Sequence, residues 1–188
     1  WVNSEDDAVK IADTIVVAVR PKVQPKLVRR YIEGGFSGHF FLEKPIAESP
    51  EEAANLLNFM DRSLVTFSVN YSFLHIKQIS IYLNSLPTGG LQSLKWQFMA
   101  HHFANNLDSW KRLHQEGGGV LRFYGIHVLA LLVQAGYCDL LESNLIGRDK
   151  QQLERWEAVF AHPNGGSFKV LIDSYSKEEF FSLSGEGV

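Results

Sequence analysis

The sequence predicts an α/β segment followed by an α+β segment, the first built on a parallel sheet and the second on an open, largely antiparallel one. Three observations carry this reading. Up to Val69, short β-branched runs alternate with amphipathic helical stretches, the rhythm of helices packed on a parallel sheet. After Leu91 the apolar runs lengthen and partly alternate, as in strands with one covered face. Near the C-terminus, two such runs flank Pro163-Asn164-Gly165-Gly166, a hairpin signal with a longer loop. The character changes at Tyr71, so the expected division is 1–70 and 71–188.

Each element has a local reason. Residues 13–19 are β-branched without alternation, as expected of a parallel strand buried on both faces, and Pro21 ends them. Residues 25–33 suit a helix stopped by Gly34-Gly35. Phe40-Phe41-Leu42 reads as a second strand, cut off at Pro45. Ser49-Pro50-Glu51-Glu52 is a strong helix start, with Ser49 as cap, Pro50 at the first position and Glu52 closing a capping box. Ala53, Leu56, Leu57 and Met60 then form one apolar stripe, and residues 64–69 form a third strand. A helix through Ile76, Ile79 and Leu83 ends at Pro87-Thr88-Gly89-Gly90. Residues 91–101 read as a long strand, followed by an irregular stretch to Glu116. Residues 120–133 are apolar nearly all round and read as one buried helix. Strands resume from Leu145, at 156–161, 168–175 and 180–183.

Composition bounds the function. The chain has 188 residues, 45% of them hydrophobic, enough for a real core and too apolar for disorder. Eighteen Lys+Arg against 21 Asp+Glu give a net charge of -3, so neither a nucleic-acid field nor a polybasic membrane patch is expected. The apolar runs read as too short for a bilayer span. Cys138 stands alone, which excludes an internal disulfide or a multi-cysteine zinc site and suits the cytoplasm. The chain starts at Trp1 and stops at Gly185-Glu186-Gly187-Val188, just after a strand-like run, which reads as a fragment.

Two places invite chemistry. Glu43-Lys44-Pro45 follows directly on a strand, and the carboxyl edge of a parallel sheet is where open α/β folds bind ligands. A lysine there supplies a positive charge, or a hydrogen bond to a hydroxyl becoming a carbonyl. Taken alone, the tripeptide is more often a surface ion pair. The second place is Gly117-Gly118-Gly119 with His127 downstream. Three glycines permit close backbone approach at a helix start. Imidazole in an apolar helix is costly unless paired or used, although a satisfied core histidine is the commoner case. His101-His102, on a strand, would point to opposite faces, and the other histidines lack ligand-like spacing, so no metal is expected.

Together these pieces resemble one family. The run from Asp13 through Val19 to Pro21, then Glu43-Lys44-Pro45-Ile46, Asn70-Tyr71, Trp110, and Gly117-Gly118-Gly119 with Gly125-Ile126-His127 fall in the order and spacing of the Gfo/Idh/MocA oxidoreductases. The resemblance implies an incomplete Rossmann-like parallel sheet over 1–70, the C-terminal part of a dinucleotide-binding domain. It implies an α+β substrate and oligomerisation domain over 71–188. It further implies NAD or NADP as cofactor and hydride transfer to or from a sugar or polyol-like substrate. Lys44 would be the catalytic lysine and His127 the substrate-binding, proton-transferring histidine. Val19, Pro21, Glu43 and Pro45 would line the cofactor, as would Trp110-Lys111, where relatives carry Trp-Arg. Tyr124 would join Lys44 and His127 at the substrate. A homo-oligomer through the open sheet is the implied assembly, with Trp96, Phe98, Trp156 and Phe160 facing either a partner or the core.

Three departures accompany the resemblance. The family's acid four residues before the histidine falls on Phe123, and a phenyl ring neither accepts a proton nor orients a hydroxyl. The histidine three residues after the first-loop proline falls on Gln24. No Gly-x-Gly-x-x-Gly precedes Asp13, so this chain alone is expected to bind the cofactor weakly or not at all. Phe123 and His127, four apart, are expected on one helix face. A non-catalytic binding or assembly protein is the alternative reading.

Overall fold

A computed structural model describes residues 4–85 and 89–185, without the side chains of Ser80, Leu83 and Asn84. Trp1, Pro87, Thr88, residues 186–188 and the side chain of Leu83 in the expected helix lie outside the described residues. The chain divides into two compact units, one running up to Asn70 and including Gln115–Gly117, the other formed by Tyr71–His114 and the residues from Gly118 on.

The first unit is a parallel sheet of β1 (Thr14–Val17), β2 (His39–Leu42) and β3 (Thr66–Val69), in that order. Helix α1 (Glu5–Ile11) precedes it, and α2 (Gln24–Glu33) and α3 (Pro50–Asp61) are the crossovers. The caps behave as the sequence requires. Ser49 Oγ accepts the Glu52 N–H at 3.1 Å, and α2 ends at Gly34, with Gly35 at φ +95°. Val17, Val28, Tyr31, Phe36, Phe40, Leu42, Leu56 and Met60 form the core, with Ala53 and Leu57 packed against it. Burying each large apolar side chain contributes about 1.5–3 kcal/mol. The expected two-sided burial of β1 is not found. Val16 is 66% exposed and its neighbour Phe41 36%, because the core engages only the alternate residues Val17, Phe40 and Leu42. The unbroken Ile15-Val16-Val17 run reports strand propensity, not two covered faces.

The second unit holds α4 (Lys77–Ser85), β4 (Leu91–Met99), the short α5 (His101–Ala104), a π-helix (Val120–Gly125) and α6 (Ile126–Gln134). The strands β5 (Asp139–Gly147), β6 (Leu153–Ala161), β7 (Ser167–Asp173) and β8 (Tyr175–Gly185) follow. The sheet order is β5-β6-β7-β4-β8, antiparallel except where β4 lies parallel to β7. Leu94, Trp156, Ala158, Phe160, Phe168, Val170 and Ile172 pack from the sheet on Val120, Val128 and Leu132. Trp156 and Phe160 thus face the core, and Trp96 and Phe98 pack against it half-buried. The opposite sheet face carries Ser93, Lys95, Glu142, Asn144, Glu157, Val159, Lys169 and Leu171 around a depression of about 810 Å³.

Four sequence expectations are corrected in this unit. The strand expected from Leu145 begins at Asp139, because an edge strand exposed on most residues shows little alternation. His101 and His102 lie on α5, not on a strand, with His101 exposed and His102 buried. The run 120–133 is a π-helix followed by an α-helix, with Val133 61% exposed. By length and composition, the helical run His114–Gln134, mean hydropathy 1.3, does reach a membrane span, although half of it is buried inside the protein. Its apolar character serves the sheet core.

Candidate functional site

In the first unit, the candidate residues stand at the carboxyl ends of the parallel strands. The ladder runs on past β2, since Glu43 N–H donates to Val17 O at 3.0 Å and Asn70 N–H to Leu42 O at 2.9 Å. Side chains then fix the tripeptide. Gln24, at the start of α2 and fully buried, donates from Nε2 to Glu43 O at 2.8 Å. Asn70 Nδ2 donates to Glu43 Oε1 at 2.7 Å, a charge-assisted bond. Pro45 is buried, Lys44 is half-buried, and the peptide between them is cis. Pro21 is buried, whereas Val19 just beyond β1 is 39% exposed. Gly117 lies against both prolines at φ +85°. A Cβ there would sit 3.1 Å from Pro21 Cγ and 3.2 Å from Pro45 Cγ, so this position demands glycine. Lys44 is therefore presented from main chain fixed on both sides.

In the second unit, Gly118 packs so tightly that a Cβ would lie 2.2 Å from Trp110 O. The π-helix that follows sets the directions of Phe123 and Tyr124, with His127 on α6. Phe123 belongs to this π-helix and His127 to the α-helix after it, so the regular four-residue spacing behind the expected shared face begins only at Ile126. Phe123 meets Trp110 edge-on at 5.6 Å, with Lys111 Nζ 5.1 Å from its centre, a cation–π contact. His127 is buried and stacks on Phe73 at 5.1 Å. Tyr124 stands edge-on to Trp96 and Phe98. Burial pushes its hydroxyl up to about 12, so at neutral pH it donates and does not act as a base. Below it lies His102, stacked at 6.3 Å. Burial first, then the charges of Arg112, Lys111 and His101, hold that imidazole down to about 4. His114 is lowered in the same way, by burial and then Arg122.

The structure thus brings Pro21, Glu43, Lys44 and Pro45 together in one unit, and groups Trp110 and Lys111 with Phe123, and so with Tyr124, in the other. Sequence reasoning missed three participants. Gln24 was noticed only as a departure, and its bond to Glu43 O spans 19 positions without a spacing signal. Phe73 had none either, and His102 was weighed only as a metal ligand, since the ring partners of both come from distant elements. Among the described residues, no group of three His, Cys, Asp or Glu side chains is placed to hold a metal ion.

Comparison with known proteins gives a family match over part of the chain and a likeness of fold over nearly all of it. Residues 3–71 match the family model described as an oxidoreductase family with an NAD-binding Rossmann fold, GFO_IDH_MocA. An oxidoreductase from Thermotoga maritima shares the fold at TM-score 0.77 and 14% identity, over 98% of this chain and 60% of that one. The WlbA dehydrogenase from Bordetella pertussis, solved with NADH and UDP-GlcNAcA, matches at 0.76 and 15%, over 98% and 57%. The WlbA dehydrogenase from Thermus thermophilus, solved with NAD and α-ketoglutarate, matches at 0.74 and 15%, over 97% and 62%. No curated protein matches the sequence. The chain spans about 60% of the length of the first of these structures. It has the fold of NAD-binding oxidoreductases with a parallel nucleotide-binding sheet and an open-sheet second part. Residues 3–71 carry the match to that family's NAD-binding Rossmann model, and over the whole chain the likeness to these structures is one of fold.

Proposed function

We propose that this chain forms part of a nicotinamide-dependent oxidoreductase that interconverts a CH–OH group and a carbonyl on a sugar or polyol-like substrate. The observation that carries this is the mounting of Lys44 at the carboxyl edge of a parallel sheet, with Glu43 held by Gln24 and Asn70. Residues 1–70 take the dinucleotide-domain role and 71–188 the substrate and assembly role. The donor set fits the nicotinamide side of an NAD or NADP molecule. Val19 and Pro21 would lie along it, with Glu43 and Pro45 framing Lys44 beside it, and the family resemblance adds Trp110 and Lys111 to the cofactor-binding residues. When bound, that cofactor supplies the hydride.

The protein's own part is binding and proton handling. Lys44 Nζ holds the reacting hydroxyl and stabilises negative charge as its proton leaves. His127 orients the substrate and takes up that proton, and Tyr124 donates a hydrogen bond to the substrate as a neutral phenol. Lys44→Ala is expected to reduce turnover by about 100-fold or more while leaving the melting temperature nearly unchanged. Equal turnover in both proteins removes Lys44 from the mechanism.

A second reading, a non-catalytic binding or assembly protein, is favoured by Phe123, whose ring packs on Trp110 where the family's acid stands. Phe123→Asp separates the two. An enzyme shifts its preference towards more hydroxylated sugars, whereas a scaffold only loses stability. The remaining proposals are a homo-oligomer through the open sheet face, a cytoplasmic location, and no nucleic-acid or membrane partner.

A further inference from the structure

We propose that Gln24 is a positioning residue for Lys44, an assignment that rests on the oxidoreductase reading above. Gln24 sits at the start of α2, is completely buried, and spends its Nε2 donor on the carbonyl of Glu43 at 2.8 Å. That carbonyl belongs to the peptide unit joining Glu43 to Lys44. A bond to it fixes the rotation of this planar unit and with it the direction in which the lysine side chain leaves the backbone. The constraint meets two others. Asn70 holds the Glu43 carboxylate at 2.7 Å, and Pro45 is pressed against Gly117 on the far side of Lys44.

A merely space-filling side chain at position 24 would be apolar. Gln24 Oε1 is buried with no hydrogen-bond partner among the described residues, and burying an unsatisfied amide oxygen is unfavourable. An amide is tolerated there because its other end does something a leucine or methionine cannot. A histidine side chain shares that ability to donate an N–H. A displacement of a catalytic group by about 1 Å is enough to reduce turnover about 100-fold, so the clamp acts on function through geometry.

The test needs no cofactor, so its failure and that of the oxidoreductase reading are distinguishable. Folded chain is treated with trinitrobenzenesulfonate, and the labelling rate of each lysine is read by peptide mass spectrometry. Gln24→Met and Gln24→Leu remove the donor and keep an apolar side chain of similar size; whichever keeps the wild-type circular dichroism is read. Lys44 is expected to change its rate about threefold or more. Lys22 and Lys26, exposed residues flanking position 24, keep theirs, and Gln24→His returns Lys44 to the wild-type rate. An unchanged Lys44 rate overturns the proposal, as does a change shared by Lys22 and Lys26, which signals general loosening. If neither apolar variant folds, Gln24→His decides: a native fold with a wild-type Lys44 rate supports the clamp, and an altered rate refutes it.

Discussion

At the residue scale, burial separates the histidines into distinct roles. His102 is held at about 4, against an ordinary value of 6.5, by burial and by the neighbouring cations. A lowered folded-state value means that the unfolded chain binds the proton first as pH falls. The neutral ring therefore contributes its full stability above about 6.5, and this is lost progressively down to about 4. The contribution is at most about 3 kcal/mol. Thermal melts across pH 7.5–4 are expected to show a steeper loss in wild type than in His102→Gln, and superimposable profiles contradict this. His114 acts in the same direction, so the variant flattens the profile only in part. The Lys44 mounting belongs to this scale as well. Its type and place after a strand were legible in sequence, but its clamps by Gln24 and Asn70 were not, since both join residues far apart in the chain.

At the element scale, each glycine of the triple run has its own steric reason, a detail a sequence shows only as a motif. Gly118 has the least room, with a Cβ meeting Trp110 O at 2.2 Å, and backbone has to move to admit it. Gly118→Ala is expected to lower stability by about 3 kcal/mol or more, measured by urea unfolding. A loss below 1 kcal/mol contradicts so tight a contact. The cap of α3 provides a milder comparison, with Ser49→Ala expected to cost about 1 kcal/mol. Elements with strong local signals were legible in sequence: the capped α3, the strand ending at Leu42, the hairpin at Gly165, and β1 in place though read two residues past its end. The π-helix was not, because a helical apolar pattern does not distinguish four- from five-residue hydrogen bonding. The start of β5 was missed because an exposed edge strand carries no burial period.

At the scale of the whole molecule, the open sheet leaves Lys95, Lys169, Glu142 and Glu157 on its outer face with Val159 and Leu171 between them. Opposite charges around an apolar centre suit a self-complementary contact. Light scattering of the intact protein is expected to give more than a monomer mass at micromolar concentration, and Leu171→Arg is expected to shift it to monomer. A wild-type protein that stays monomeric contradicts the oligomer. The central claim concerns Lys44 and the nicotinamide. Its most direct measurement is nuclear magnetic resonance on intact protein carrying 13C-dimethylated lysines, with the Lys44 signal assigned through Lys44→Arg and followed as NADH is added. The account predicts a saturable shift of the Lys44 signal and a nuclear Overhauser contact to the nicotinamide ring protons. NADH binding that leaves the Lys44 signal unmoved, or no binding by the intact protein at all, contradicts it.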